Sequence, residues 1–160
     1  MESLFNNISS VVEKKIEVLD KSILEELKSL YLNLVSKNSS DWVKVAHSCR
    51  RVLKFIADKV FPASDEKYIT KDKREWQVKD NNFLNRLICF FDKEGVSNIS
   101  KSEVEFVEKY IRAVTSETQD GVHKNEITHF EASTLAIHTY LILSQVLNNL
   151  TSQTPEIKES

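Results

Sequence analysis

"SSDWVKVAHSCRRVLKFIADKVFP", residues 39–62, is the stretch that decides the fold. Trp42, Val45, Ala46, Cys49, Val52, Leu53, Ile56 and Val60 recur in steps of three and four, which puts them on one face of an α-helix. Ser39, Ser40 and Asp41 are N-cap candidates at its start, and Pro62 stops it. So long and regular a stripe predicts a central helix of a bundle over residues 41–61.

The same periodicity extends outward in both directions. Leu4, Phe5, Ile8, Val11, Val12, Ile16 and Leu19 form a stripe over residues 2–19. Ile23, Leu24, Leu27, Leu30, Tyr31, Leu34 and Val35 form another, with Ser22 and Glu25 spaced as a capping box and the two helices meeting near Asp20. Downstream, Phe83, Leu84, Leu87, Ile88 and Phe91 predict a helix over residues 82–93, and Gly95 suits its C-terminal end. Ser100 and Glu103 are spaced as a second capping box before the stripe Val104, Val107, Ile111 and Val114. Thr128 and Glu131 make a third, opening the last helix over residues 129–149. That helix carries Leu135, Ala136, Leu143, Val146, Leu147 and Leu150 on one side and Ile137, Leu141 and Ile142 on others, which predicts burial on two sides, inside the bundle or at a dimer interface.

Composition agrees with this pattern. The chain has 160 residues, 41% of them apolar, enough for one domain with a sizeable core. Its 2 glycines and 2 prolines are too few for a protein built on tight β-turns. The expected architecture is an all-α, single-domain bundle of about six helices over residues 1–150, with a polar tail from 151 to 160. The helical pattern breaks at "PASDEKYITKDKREWQVKD", residues 62–80, a charged loop insertion that reads either as a solvated loop pinned to the body by Tyr68 and Trp76 or as a partner-binding insertion.

Net charge is −2 from 22 basic and 24 acidic residues, so any nucleic-acid binding must come from a local patch. Cys49 and Cys89 lie in apolar helix faces and read as buried free thiols. No basic segment followed by an apolar run marks a signal peptide, and no run approaches the ~20 residues of a membrane span. A cytoplasmic protein without membrane contact is expected. Glycine-rich phosphate loops, serine elbows and zinc-spaced Cys or His sets do not occur, so neither a cofactor nor a metal is implied. His129 and His138 are nine residues apart, where helical metal ligands would be about four apart.

Two clusters remain as site candidates. His47, Arg50 and Arg51 lie on the helix of residues 41–61, either as a small phosphate patch or with an arginine tying helices through an acid such as Glu103 or Glu105. The second cluster lies in "VTSETQDGVHKNEITHF", residues 114–130, a polar elbow in which Gly121 permits a turn and His123 and Lys124 follow. His123 could cap the elbow or act as a general acid–base group near neutral pH.

"HSCRRVLKFIADKVF", "FLNRL" with its Arg86, and "DGVHKNEITHFEASTLAIHTYLIL" together resemble helices of the HEPN superfamily over residues 40–150. The resemblance implies a helical bundle, frequent dimerisation, and a place in prokaryotic defence or toxin–antitoxin systems. It also implies a metal-independent ribonuclease site in active members, whose arginine precedes the histidine by four to six intervening residues. Here that window before His123 holds Ser116, Glu117 and Thr118, and the nearest upstream arginine is Arg112, with ten residues between. A histidine without its cationic partner lacks the charge-stabilising half of that mechanism. The expected function is therefore a noncatalytic binding or assembly module, a homodimer with His47, Arg50, Arg51, Arg86 and Lys124 as residues for binding RNA or a protein partner. An endoribonuclease using His123 and Arg112, and a component acting only through protein contacts, are the alternatives.

Overall fold

The computed structural model describes residues 2–96, 98–115 and 126–151. Among them run α1 (Glu2–Leu19), α2 (Lys21–Val35), α3 (Ser39–Val60), β1 (Tyr68–Ile69), β2 (Glu75–Trp76), α4 (Phe83–Lys93), α5 (Asn98–Thr115) and α6 (His129–Thr151). The architecture is an all-α bundle with one minimal hairpin.

α3 packs on α2, α4, α5 and α6, and its stripe from Val45 to Ile56 is buried throughout. α6 lies against α1, α2, α3 and α5. Ala132, Leu135, Ala136, Tyr140, Ile142, Leu143, Val146 and Leu147 are all buried, so most of its wide apolar circumference lies inside the bundle, while Phe130 and Ile137 stay exposed. α4 is buried nearly all round, from Phe83 to Asp92. α1 buries less than its stripe suggests: Val12 and Ile16 are inside, while Leu4 and Val11 stay 62% and 55% exposed. Likewise α2 buries Ile23, Leu27 and Leu30 but exposes Tyr31 and Val35. α1 packs on α2 and α6, and α2 on α1, α3 and α6, and in both the covered face is narrower than the apolar arc.

Helix ends follow local hydrogen bonding, and only one of the three expected capping boxes forms. Thr128 Oγ1 accepts from Glu131 N at 3.1 Å, and Glu131 Oε2 accepts from Thr128 N at 2.8 Å. At α2 the cap is instead Asp20, whose Oδ1 accepts from Ser22 N at 2.8 Å, while Glu25 pairs with Lys28. A carboxylate ahead of Ser22 outcompetes its hydroxyl for the same end. Asn38, not Ser39, Ser40 or Asp41, caps α3 by accepting from Ser40 N at 3.1 Å; Asp41 takes bonds from Ser36 and Lys44. α5 begins at Asn98, ahead of Ser100, and Glu103 bonds His138 on α6 rather than closing a box. Gly95, at φ +71°, ends α4 as expected: Gly95 N donates to Asp92 O and Val96 N to Phe91 O.

Residues 62–80 are more ordered than a charged loop would be. Tyr68 pairs with Trp76 and Ile69 with Glu75 in an antiparallel hairpin whose turn places Lys73 at φ +63°. Tyr68 packs edge-on against Phe61 at 5.4 Å between ring centres, and both expected anchors are half-buried. The hairpin is held to the bundle by Asp92, which is 3% exposed. Its carboxylate accepts from Lys71 N at 3.1 Å, Tyr68 Oη at 3.4 Å and Lys101 Nζ at 3.0 Å. Cys49 and Cys89 are buried free thiols, both pushed up to about 12, foremost by burial. No described helix is long and apolar enough to cross a membrane.

Two predictions follow from this packing. Leu53→Ala and Leu143→Ala, at 0% exposure, should each lower stability by about 2–5 kcal/mol in chemical denaturation. For Asp92, burial acts to raise the carboxyl, but bonds from Lys101 and the Lys71 backbone, with both positive charges, outweigh it and hold the group below its ordinary range. A carboxyl lowered by folding contributes stability above its unfolded value, roughly pH 4, and loses it as pH falls through the folded one. Asp92→Asn should therefore lower Tm most near neutrality, and the gap to the parent protein should close in acid.

Candidate functional site

The expected basic cluster sits on α3, where His47, Arg50 and Arg51 are all exposed. Three neighbours on one helix nevertheless have three different situations. Arg51 is committed to α2: its Nε and Nη2 donate to Glu26 Oε1 at 2.9 and 2.6 Å. Burial acts to raise Glu26, but Arg51 and Ser48 outweigh it and keep the carboxyl low, so the pair stays charged. The inter-helix tie expected for Arg50 through Glu103 or Glu105 is not formed among the described residues; an arginine tie does join two helices, but from Arg51 to Glu26. His47 is held below the ordinary histidine range by partial desolvation and by Arg51 and Arg50, so it is neutral at pH 7. Arg50 lies with its guanidinium carbon 5.9 Å from the centre of the Phe83 ring.

Arg50 also faces a cleft of about 290 Å³ that opens between α3, the start of α4 and α5. The opposite wall carries Glu108 and Arg112, and the near end carries Asn81, Asn82 and Asn85. Leu84 and Ile111 complete the lining. Arg112 is 75% exposed at its side chain, and its Nε and Nη2 donate to Glu108 Oε1 at 2.9 and 2.6 Å. Asn85 spends its Nδ2 on Gln77 O at 2.9 Å, and Asn82 caps α4 without a side-chain capping bond. The structure thus brings Arg50 and Arg112 to one cavity, an association across 61 intervening residues that spacing alone does not reveal. The asparagines and Glu108 were not among the expected site residues. "DNNFLN", residues 80–85, is the only local signal, a run of amides at a helix start.

Arg86 departs from its expected role in binding. It is 0% exposed, with Nη2 donating to Asp58 Oδ1 at 2.7 Å and to Asp80 O at 3.2 Å, and Nη1 to Phe61 O at 3.2 Å. Lys54 adds a surface clamp, 3.3 Å from Asp58 and 2.8 Å from Asp80. A guanidinium enclosed in this way presents nothing to a ligand; it fastens α4 to the end of α3.

His123, Lys124 and Gly121 lie outside the described residues, so the elbow histidine is not placed beside Arg112. The two histidines of α6 are placed, and both tie helices together. His129 Nε2 lies 3.0 Å from Leu34 O while its ring meets Trp42 edge-on at 5.3 Å. His138 Nδ1 bonds Glu103, and its ring lies 4.5 Å from that of Phe106. No group of His, Cys, Asp and Glu among the described residues is arranged to hold a metal ion. No family model, curated protein or solved structure matches the chain.

Proposed function

We propose that the chain is a noncatalytic binding or assembly module, an HEPN-like bundle of a cytoplasmic prokaryotic defence or toxin–antitoxin system, acting as a homodimer. The observation that carries this reading is the state of Arg112. Its guanidinium is bonded through two nitrogens to Glu108 one helical turn away, so its charge is already neutralised. A ribonuclease site needs that cation aimed at a phosphate that gains charge in the transition state. Drawing Arg112 away would leave Glu108 in the cleft, where a carboxylate repels the same phosphate. The cavity is suited to hold an anion and ill-suited to activate one.

Dimerisation is supported by the outer face of α1. Leu4, Val11 and Val18 are exposed at 62%, 55% and 90%, and their spacing of seven residues puts them on one line. A two-fold axis through Val11 sets Leu4 of each copy opposite Val18 of the other, an isologous pairing of like with like. α6, the other helix with surplus apolar surface in the sequence, spends most of it in the core and leaves Phe130 and Ile137 exposed.

Two measurements test these statements. Single-stranded RNA incubated with the protein in EDTA should remain intact. Cutting that persists in EDTA and vanishes in both His123→Ala and Arg112→Ala would replace the binding module with a metal-independent endoribonuclease. Sedimentation over a concentration series should reveal a species near twice 18.5 kDa, and Val11→Glu, which brings two like charges together at the axis, should return it to monomer. A parent protein that stays monomeric at tens of micromolar removes the dimer.

A further inference from the structure

The chain has five arginines, and four of them hold carboxylates: Arg51 on Glu26, Arg74 on Asp72, Arg86 on Asp58 and Arg112 on Glu108. Arg50 alone has no ion pair among the described residues, and of the two arginines that line the cleft it is the one not already held by a carboxylate. Its apolar side is covered by the Phe83 ring, which leaves the edge of the guanidinium, with its N–H fork, for a ligand. Charge in the cleft sums to +1 from Arg50, Arg112 and Glu108, so a small anion is favoured.

The amides narrow the class. Asn81 and Asn82 each carry an amide Nδ2 that can donate beside Arg50. Together they offer more donors than the two oxygens of a carboxylate require, and they suit the three terminal oxygens of a phosphate. Asn85 gives one Nδ2 hydrogen to Gln77 O, which leaves one N–H and its carbonyl oxygen, an acceptor. Glu108 is a second acceptor. Acceptors next to an anion seat call for hydroxyl groups on the same ligand. A volume of about 290 Å³ lies at the bottom of the roughly 300–1,000 Å³ span of small-molecule sites, which excludes bulky ligands. The aromatic ring in the lining, Phe83, is 5% exposed and covered by Arg50, so the cleft offers no platform on which a nucleobase could stack.

We infer that the cleft between α3, α4 and α5 seats a small hydroxylated phosphate monoester, a sugar phosphate in chemical class, with Arg50 as the phosphate-binding residue. This rests on the binding-module reading and names what the module binds. Arg112 and Glu108 set its affinity: Glu108 opposes the phosphate, and Arg112 offsets Glu108.

Ribose 5-phosphate, inorganic phosphate and ribose are the probes, each titrated into the whole chain and followed by amide NMR shifts and calorimetry. Ribose 5-phosphate should shift Asn81, Asn82 and Asn85 and bind more tightly than phosphate, with ribose silent. Arg50→Ala should weaken binding about tenfold or more, the loss of one charge-assisted contact. Glu108→Gln should tighten it several-fold, whereas Arg51→Ala, on the same helix but paired to Glu26, should leave it unchanged. Arg50 is exposed and makes no ion pair among the described residues, so its removal leaves the fold intact, which the unshifted remainder of the spectrum checks. Absence of shifts at the three asparagines, or equal affinity in Arg50→Ala and the parent protein, overturns the seat. RNA cutting in EDTA together with shifts that depend on Arg50 would sink the noncatalytic module and uphold the seat, so the two failures are distinguishable.

Discussion

Burial of α3 on several sides is the constraint from which the other elements take their places. A helix in contact with α2, α4, α5 and α6 has little freedom in sequence, and from Val45 to Ala57 its buried positions are almost entirely apolar. Each large aliphatic side chain buried there contributes about 1.5–3 kcal/mol. The exposed sector left over is narrow, and His47, Arg50, Arg51 and Phe55 occupy it. The basic cluster is thus confined to the one strip of α3 that no neighbour covers.

Charge then settles what apolar packing leaves open. Arg86 is fully enclosed, and burying a guanidinium is costly unless its donors are met. Its Nη1 and Nη2 are met by Asp58 at the end of α3 and by two carbonyls of the chain around the hairpin, which ties α4 to α3, while Nε has no partner among the described residues. That tie brings Asn81, Asn82 and Asn85 beside Arg50, while Glu108 and Arg112 approach on α5. The cleft is a by-product of a buried ion pair a few residues away. Asp92 does the corresponding job on the far end of α4, where one carboxylate gathers the hairpin and α5.

Most of the helical architecture was legible because its signals are local and periodic. α3, α4 and α6 appear in the sequence within one or two residues of their bounds, since stripe, cap and breaker coincide. What escaped is decided by competition or by distance. Asp20 displaces Ser22 as a cap, and Asn38 displaces three other candidates, because several side chains contend for the same N–H groups. The hairpin was hidden because its left-handed turn residue is Lys73, where glycine or asparagine would have announced it. Leu4, Val11, Tyr31 and Val35 read as core because periodicity reports an apolar arc and says nothing of how many neighbours exist to cover it. Arg86 read as a surface cation for the same reason. In the candidate site, Arg50 and Arg112 were both legible as residues of interest, but their meeting was not, being a matter of tertiary distance.

The central position of α6 has a consequence for how the molecule comes into being. Ribosomes deliver α1 to α4 first, and the stripes of α1, α2 and α3 have part of their final cover far downstream, in residues 129–151. At synthesis rates of about 5–20 residues per second, those apolar faces wait for seconds before their partner emerges. During that interval α2 and α3 can shield one another as a helical pair, but the inner side of the sheaf stays open to water and to other chains. A nascent chain of this design is a natural client for a holding chaperone. Premature termination ahead of His129 would yield helices without the rod they are meant to surround, a product for proteases instead of a smaller working protein.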